Sequence, residues 1–170
     1  VGVKPIYNIW RGQAMNKIYL AFYKGCAQNR FKQLQDGIIR FLTKGQYSHC
    51  EIAIERLEQW GQYDYRPTYD CYTSSPRDGG VRCKQIDVGD STKWDLILLD
   101  NVTEEQIKAY FHRTCGKAYD WWGAIGIVLG IKQKHSKYFC SEWCFNAIKN
   151  SDKGWRFSPN QLAVMYQVDR

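Results

Sequence analysis

Apolar and polar residues alternate most cleanly over Tyr47–Glu55, YSHCEIAIE. Cys50, Ile52 and Ile54 fall on one face, and His49, Glu51, Ala53 and Glu55 on the other. A period of two predicts a strand with one face on a core. Ile18–Tyr23, IYLAFY, is a short apolar run and predicts a buried strand. Tyr69–Ser75 and Gly80–Ile86 flank Pro76-Arg-Asp-Gly79, whose turn chemistry predicts a hairpin. Trp94–Leu99 predicts a further strand.

The period changes elsewhere. After Asn29, the residues Phe31, Leu34, Ile38, Phe41 and Leu42 recur at helical spacing, and Lys44-Gly45 closes the pattern. Thr103 and Gln106 have the spacing of a capping box ahead of a stripe of Ile107, Tyr110 and Phe111, which Gly116 ends. A last stripe of Cys140, Trp143, Cys144, Ala147 and Ile148 predicts a helix that starts near Cys140. Ser158–Leu162, SPNQL, predicts a capped turn and a short closing segment. Strands grouped in mid-chain with helices outside them indicate an α+β fold with a small antiparallel sheet packed against helices. No repeat, low-complexity tract or linker interrupts the chain, so residues 1–170 are expected to form one domain.

Composition narrows the chemistry. With 24 basic and 17 acidic residues the formal charge is +7, which favours anionic partners such as nucleic acid, anionic membrane or acidic cell-wall polymer. The excess is spread, without a long Lys/Arg run, so it reads first as a solvated basic surface. Trp121–Ile131, WWGAIGIVLGI, is apolar but shorter than the roughly 18 residues of a membrane helix; it reads as a buried segment or a substrate-facing wall. Seven cysteines without a CxxC pair, and no apolar leader near Val1, give the expectation of a cytoplasmic protein with reduced thiols. The Cys and His positions form no zinc-ligand spacing, and no Walker-type phosphate loop is present, so neither metal nor cofactor is expected.

Cys140 stands where a helix begins. A free thiol has a pKa of about 8.5, and the unpaired N–H groups of a first helical turn lower it. Those groups also stabilise an oxyanion. The plainer reading of Cys140, and of Cys144 one turn on, is a small buried hydrophobe. Ser141 and Glu142 are expected to cap backbone donors, with Glu142 directed away from the thiol. A nucleophilic cysteine needs a base, and the chain has three histidines. His112 lies inside an amphipathic helix, as a surface or boundary residue. His135 lies in the polar Lys132–Lys137 segment. His49, at a strand start on the less apolar face, is the base the pattern favours. The group that orients its ring stays open between Glu51, expected to be an ordinary exposed strand residue, and the polar run Tyr72–Ser75. Tyr47, Tyr119 and Trp121 are expected to shape a pocket.

Tyr47-Ser-His49, Asp78-Gly-Gly-Val-Arg82, Gly116-Lys-Ala-Tyr-Asp120, Tyr138-Phe-Cys-Ser-Glu142 and Ser158-Pro159 together resemble the circularly permuted branch of the NlpC/P60 superfamily, the YiiX-like and lecithin:retinol acyltransferase-like group. The resemblance spans residues 18–162. It implies a papain-like fold, with Cys140 as nucleophile and His49 as base. Many relatives carry an acid on the strand after the histidine strand. Here that strand reads Asp70-Cys-Tyr-Thr-Ser-Ser75, without an acid at the matching place, and Ser74 is the expected substitute. The implied activity is hydrolysis of an amide, of peptide or peptidoglycan type, or of an ester, by a cysteine peptidase or amidase. The implied partner is a peptide or acyl-containing substrate, such as anionic cell-wall material. Acyl transfer, and non-catalytic binding of a cell-wall, lipid or nucleic-acid ligand, are the alternatives. Small basic domains of this sort are similar to those that phages carry.

Overall fold

The computed structural model describes residues 16–25, 37, 40, 45–121 and 137–166. Five strands form one sheet: β1 (Ile18–Tyr23), β2 (His49–Gln59), β3 (Tyr65–Ser75), β4 (Gly80–Gln85) and β5 (Trp94–Leu98). Their order is β4-β3-β2-β1-β5, and every neighbouring pair is antiparallel. Three helices are described in full: α1 (Glu104–Thr114), α2 (Cys140–Lys149) and α3 (Pro159–Tyr166), with a 3-10 turn at Gly154–Arg156. The expected α+β architecture is therefore present. The helix expected after Asn29 lies outside the described residues, apart from Gly37 and Arg40, which are helical. Most of the Trp121–Ile131 segment also lies outside them, as do His135 and Cys26.

The alternation over Tyr47–Glu55 sorts β2 between two cores. Cys50, Ile52 and Ile54 join Leu20, Phe22 and Tyr72 in the cluster that meets Trp143, Cys144 and Ala147 of α2. Ala53 joins Ala21, Tyr23, Cys71 and Trp94 on the opposite face. β2 and β3 run further than the alternation suggested, 11 residues each, and pair out to Gln59↔Tyr65. Leu57, Trp60, Tyr63 and Tyr65 on this extension are exposed, so backbone pairing rather than burial carries the strands past Glu55.

The turn between β3 and β4 needs its glycines. Gly79 has φ 81° and Gly80 φ 155°. A Cβ on Gly80 would lie 2.0 Å from the Lys117 carbonyl oxygen. That close approach lets the Val81 N–H donate to Lys117 O at 2.9 Å and the Tyr119 N–H to Gly79 O at 2.9 Å, docking residues 117–119 on the turn.

Thr103 caps α1 by accepting from the Gln106 N–H at 3.2 Å. Gln106 does not complete the capping box. Its Nε2 donates to the Ala147 and Ile148 carbonyls at 2.7 and 2.9 Å, near the end of α2. The sequence suggested a striped α2, yet Cys140 to Ile148 are all buried. The sheet, α1, the 3-10 turn and α3 pack around this helix. Trp143 is fully buried and its indole N–H donates to Thr114 Oγ1 at 2.9 Å, which satisfies the one polar atom of the ring. At the start of α3, Ser158 Oγ accepts from the Gln161 N–H at 3.3 Å and Gln161 Oε1 accepts from the Ser158 N–H at 2.8 Å, a reciprocal cap.

Candidate active site

Cys140 is the first residue of α2 and His49 the first of β2. Phe139 is the N-cap of α2 without a side-chain cap bond, so the first-turn N–H groups of the helix have no intrahelical acceptor. The two side chains meet there. The His49 imidazole and the Cys140 sulfur are near enough to stabilise each other's charged forms, and the thiol and backbone N–H of Cys50 also act on the sulfur. His49 Nε2 meets Glu51 Oε1 at 3.1 Å. Cys140 is 3% exposed and the His49 side chain 15% exposed.

The charges agree with the contacts. The hydrogen bond from the Cys50 thiol is the largest influence on Cys140; with the positive His49 ring it outweighs burial and holds the thiol well below its ordinary range. Burial opposes charge on His49, but the negative sulfur and Glu51 more than offset it and raise the ring to about 10. Both shifts favour the ion pair of thiolate and imidazolium over the neutral pair. Cys50 moves the other way. Its burial and the donation to Cys140 push its thiol up, so it keeps its proton and serves as donor.

Glu51 is a correction. It was expected to be an exposed strand residue, and it is 1% exposed. Arg82 makes that possible, by donating from Nη1 to Glu51 Oε2 and from Nη2 to Oε1, each at 2.8 Å. Burial raises the carboxyl, but Arg82 and His49 overcome it and hold Glu51 ionised. Ser74 is a second correction. Its hydroxyl donates to the Tyr138 carbonyl at 2.7 Å and is not the group on the His49 ring. Its register partner is Val81, which belongs to the helix-side core. His49 and Glu51 alternate with residues of that core and so face away from it.

A cleft of about 460 Å³ opens on the His49 and Glu51 side of the sheet, between the β3–β4 turn and the aromatic rings of Tyr23, Trp94 and Tyr119. Tyr119 and Trp121 pack edge to face at 5.1 Å. Tyr47, expected in the pocket, instead packs on Phe22 at 5.1 Å and donates to Oδ2 of the partly exposed Asp95 at 2.7 Å. His112 is exposed on α1, away from this site. Ser141 donates to the Phe157 carbonyl at 2.7 Å rather than capping α2. Glu142 is buried with its Oε2 unpartnered, and burial near Asp120 raises its pKa to about 8. Among the described residues, no three His, Cys, Asp or Glu side chains converge as a metal site. Nor is any described helix long and apolar enough to cross a membrane.

Sequence reasoning singled out Cys140 and His49, which the fold brings together, but gave Cys50 and Arg82 no part. Cys50 left only its adjacency to His49 as a signal. Arg82 left none, because its contact with Glu51 crosses an intervening strand. No protein family, curated protein or solved structure matches the chain.

Proposed function

We propose that this protein is a thiol hydrolase that cleaves an amide or ester bond, with Cys140 as nucleophile, His49 as acid and base, and Glu51 on the far side of the His49 ring. The observation that carries this reading is the line of contacts from the Cys140 sulfur through His49 to the buried Glu51 carboxylate, at the start of a helix. Nucleophile, base and orienting group in hydrogen-bond sequence are the general signature of an activated side-chain nucleophile.

The Cys140 thiolate attacks the substrate carbonyl, and the carbonyl π electrons move to oxygen. First-turn N–H groups of α2 stabilise that oxyanion. As the tetrahedral intermediate collapses, the C–N or C–O bond breaks and the His49 imidazolium gives its proton to the leaving group. Water then attacks the thioester. His49 takes a proton from the water, the C–S bond breaks, and a carboxylic acid leaves behind the thiolate and imidazolium. Glu51 holds the ring in place and stabilises its charged form throughout. The substrate is held in the aromatic cleft that His49 and Tyr119 line.

A papain-like fold of the permuted NlpC/P60 kind accommodates this reading. A central helix headed by cysteine packs on an antiparallel sheet whose histidine precedes that cysteine in the chain. Glu51 supplies a carboxylate for the ring from the histidine strand itself, which favours catalysis over non-catalytic binding on the same scaffold.

The test is thiol labelling followed by a substrate screen. Iodoacetamide at neutral pH is expected to alkylate Cys140 ahead of the exposed Cys115, and Cys140→Ala is expected to abolish hydrolysis of every ester and peptide amide the wild type cleaves. Hydrolysis undiminished in Cys140→Ala, or labelling with no preference for Cys140, overturns the reading.

A further inference from the structure

We propose that Arg82 is a positioning residue of this site, one that acts on His49 through Glu51 by fixing the carboxylate oxygen the ring is bonded to. The inference rests on the proposed hydrolase reading for its consequence, but its geometry is independent of it.

Arg82 lies on β4, and β3 separates it from β2. Its guanidinium crosses that strand. Nη1 donates to Glu51 Oε2 at 2.8 Å and to the Cys71 carbonyl at 3.0 Å, while Nη2 donates to Glu51 Oε1 at 2.8 Å. Nε donates to Asp78 Oδ2 at 2.8 Å. Every guanidinium nitrogen is thereby engaged, and the side chain is only 13% exposed. A planar fork held at three nitrogens fixes the plane of the carboxylate it grips.

The informative atom is Glu51 Oε1. It accepts from Arg82 Nη2 at 2.8 Å and meets His49 Nε2 at 3.1 Å. The oxygen that orients the ring is therefore one that Arg82 orients. A purely structural ion pair has no need to share its acceptor with the imidazole. Arg82 also keeps the carboxylate charged. The Glu51 side chain is 2% exposed, and without a cation its burial favours the neutral acid, which is a poor partner for an imidazolium. Asp78 anchors the arrangement from the cleft-lining turn, where its carboxylate also pairs with Lys84. Arg82 touches the reacting atoms nowhere, so its role is to position.

The experiment reads His49 directly. The ring resonances of His49, assigned by comparison with His49→Gln, are titrated by NMR in the wild type, Arg82→Lys, Arg82→Met, Glu51→Gln and the Glu51→Gln/Arg82→Met double variant. Thermal melts establish which variants fold. Lysine keeps the charge but loses the fork, and methionine loses both. The His49 midpoint is expected to fall by about one unit or more in Arg82→Lys and Arg82→Met, with a fall of about tenfold or more in Cys140 alkylation at neutral pH. In the Glu51→Gln background, Arg82→Met is expected to change neither quantity further. If Arg82→Met alone does not fold, Arg82→Lys and the charge-neutral double variant carry the test. A wild-type His49 midpoint in Arg82→Lys, or an undiminished Arg82 effect in the Glu51→Gln background, overturns the proposal. Failure of the hydrolase reading looks different: the His49 midpoint still responds to Arg82, while wild-type Cys140 reacts no faster than Cys115.

Discussion

Glu51 Oε1 lies 3.1 Å from His49 Nε2, and the two residues stand two positions apart on β2. Residues so spaced on an extended strand share a face, so the pairing needs no loop to close it. The carboxylate favours the charged ring, and its removal therefore lowers the His49 pKa from about 10. Hydrolysis needs the imidazolium as acid, so activity in the wild type is expected to fall as pH rises through about 10. In Glu51→Gln that alkaline limb is expected to move to lower pH. A pH–rate profile on any cleaved ester checks it; an unmoved limb shows that Glu51 does not govern the ring.

The thiolate depends on its ion-pair partner as well as on its helix. His49→Ala removes a positive charge that lowers the Cys140 pKa. Alkylation at neutral pH is expected to drop by about a hundredfold or more, within the usual span of a lost acid–base group. It is expected to recover with rising pH as the free thiol ionises. Iodoacetamide rates between neutral and alkaline pH, with Cys115 as the internal exposed thiol, measure both effects.

Ser74 separates a structural hydroxyl from a catalytic one. Its bond to the Tyr138 carbonyl ties β3 to the segment that leads into Cys140. Ser74→Ala is expected to cost about 1 kcal/mol of stability, the ordinary worth of one hydrogen bond, and to leave the pH profile of Cys140 alkylation where it is. A displaced profile would return Ser74 to the ring.

Glu142 makes stability depend on pH. Burial raises its pKa from 4.5 to about 8 in the folded state, so the folded chain holds a proton there that the unfolded chain releases. The corresponding stability is fully present below pH 4.5 and is lost as pH rises through about 8. Glutamine resembles the protonated acid. Glu142→Gln is expected to be more stable than the wild type above pH 8 and to show little advantage below pH 4.5. Urea denaturation on either side of that window tests the sign; an advantage that grows towards acid pH is the wrong one.

Much of the fold was legible because its signals are local. Alternation along Tyr47–Glu55, the Thr103 cap, the turn residues Pro76–Gly79 and the left-handed Gly116 each act within a few residues of chain. Cys140 as first residue of its helix was legible for the same reason, and so was the strand position of His49. Alternation also stated which residues share a face with His49. It did not state what covers that face. Whether Glu51 meets water or a cation depends on strand order, and the order β4-β3-β2 is what brings Arg82 to it. The burial of α2 on all sides, the inward turn of Tyr47 and the diversion of Ser74 to Tyr138 were decided in the same way, by partners distant in sequence. Periodicity records the direction in which a side chain points, whereas its charge state and its chemistry are set by whatever the rest of the chain packs against it.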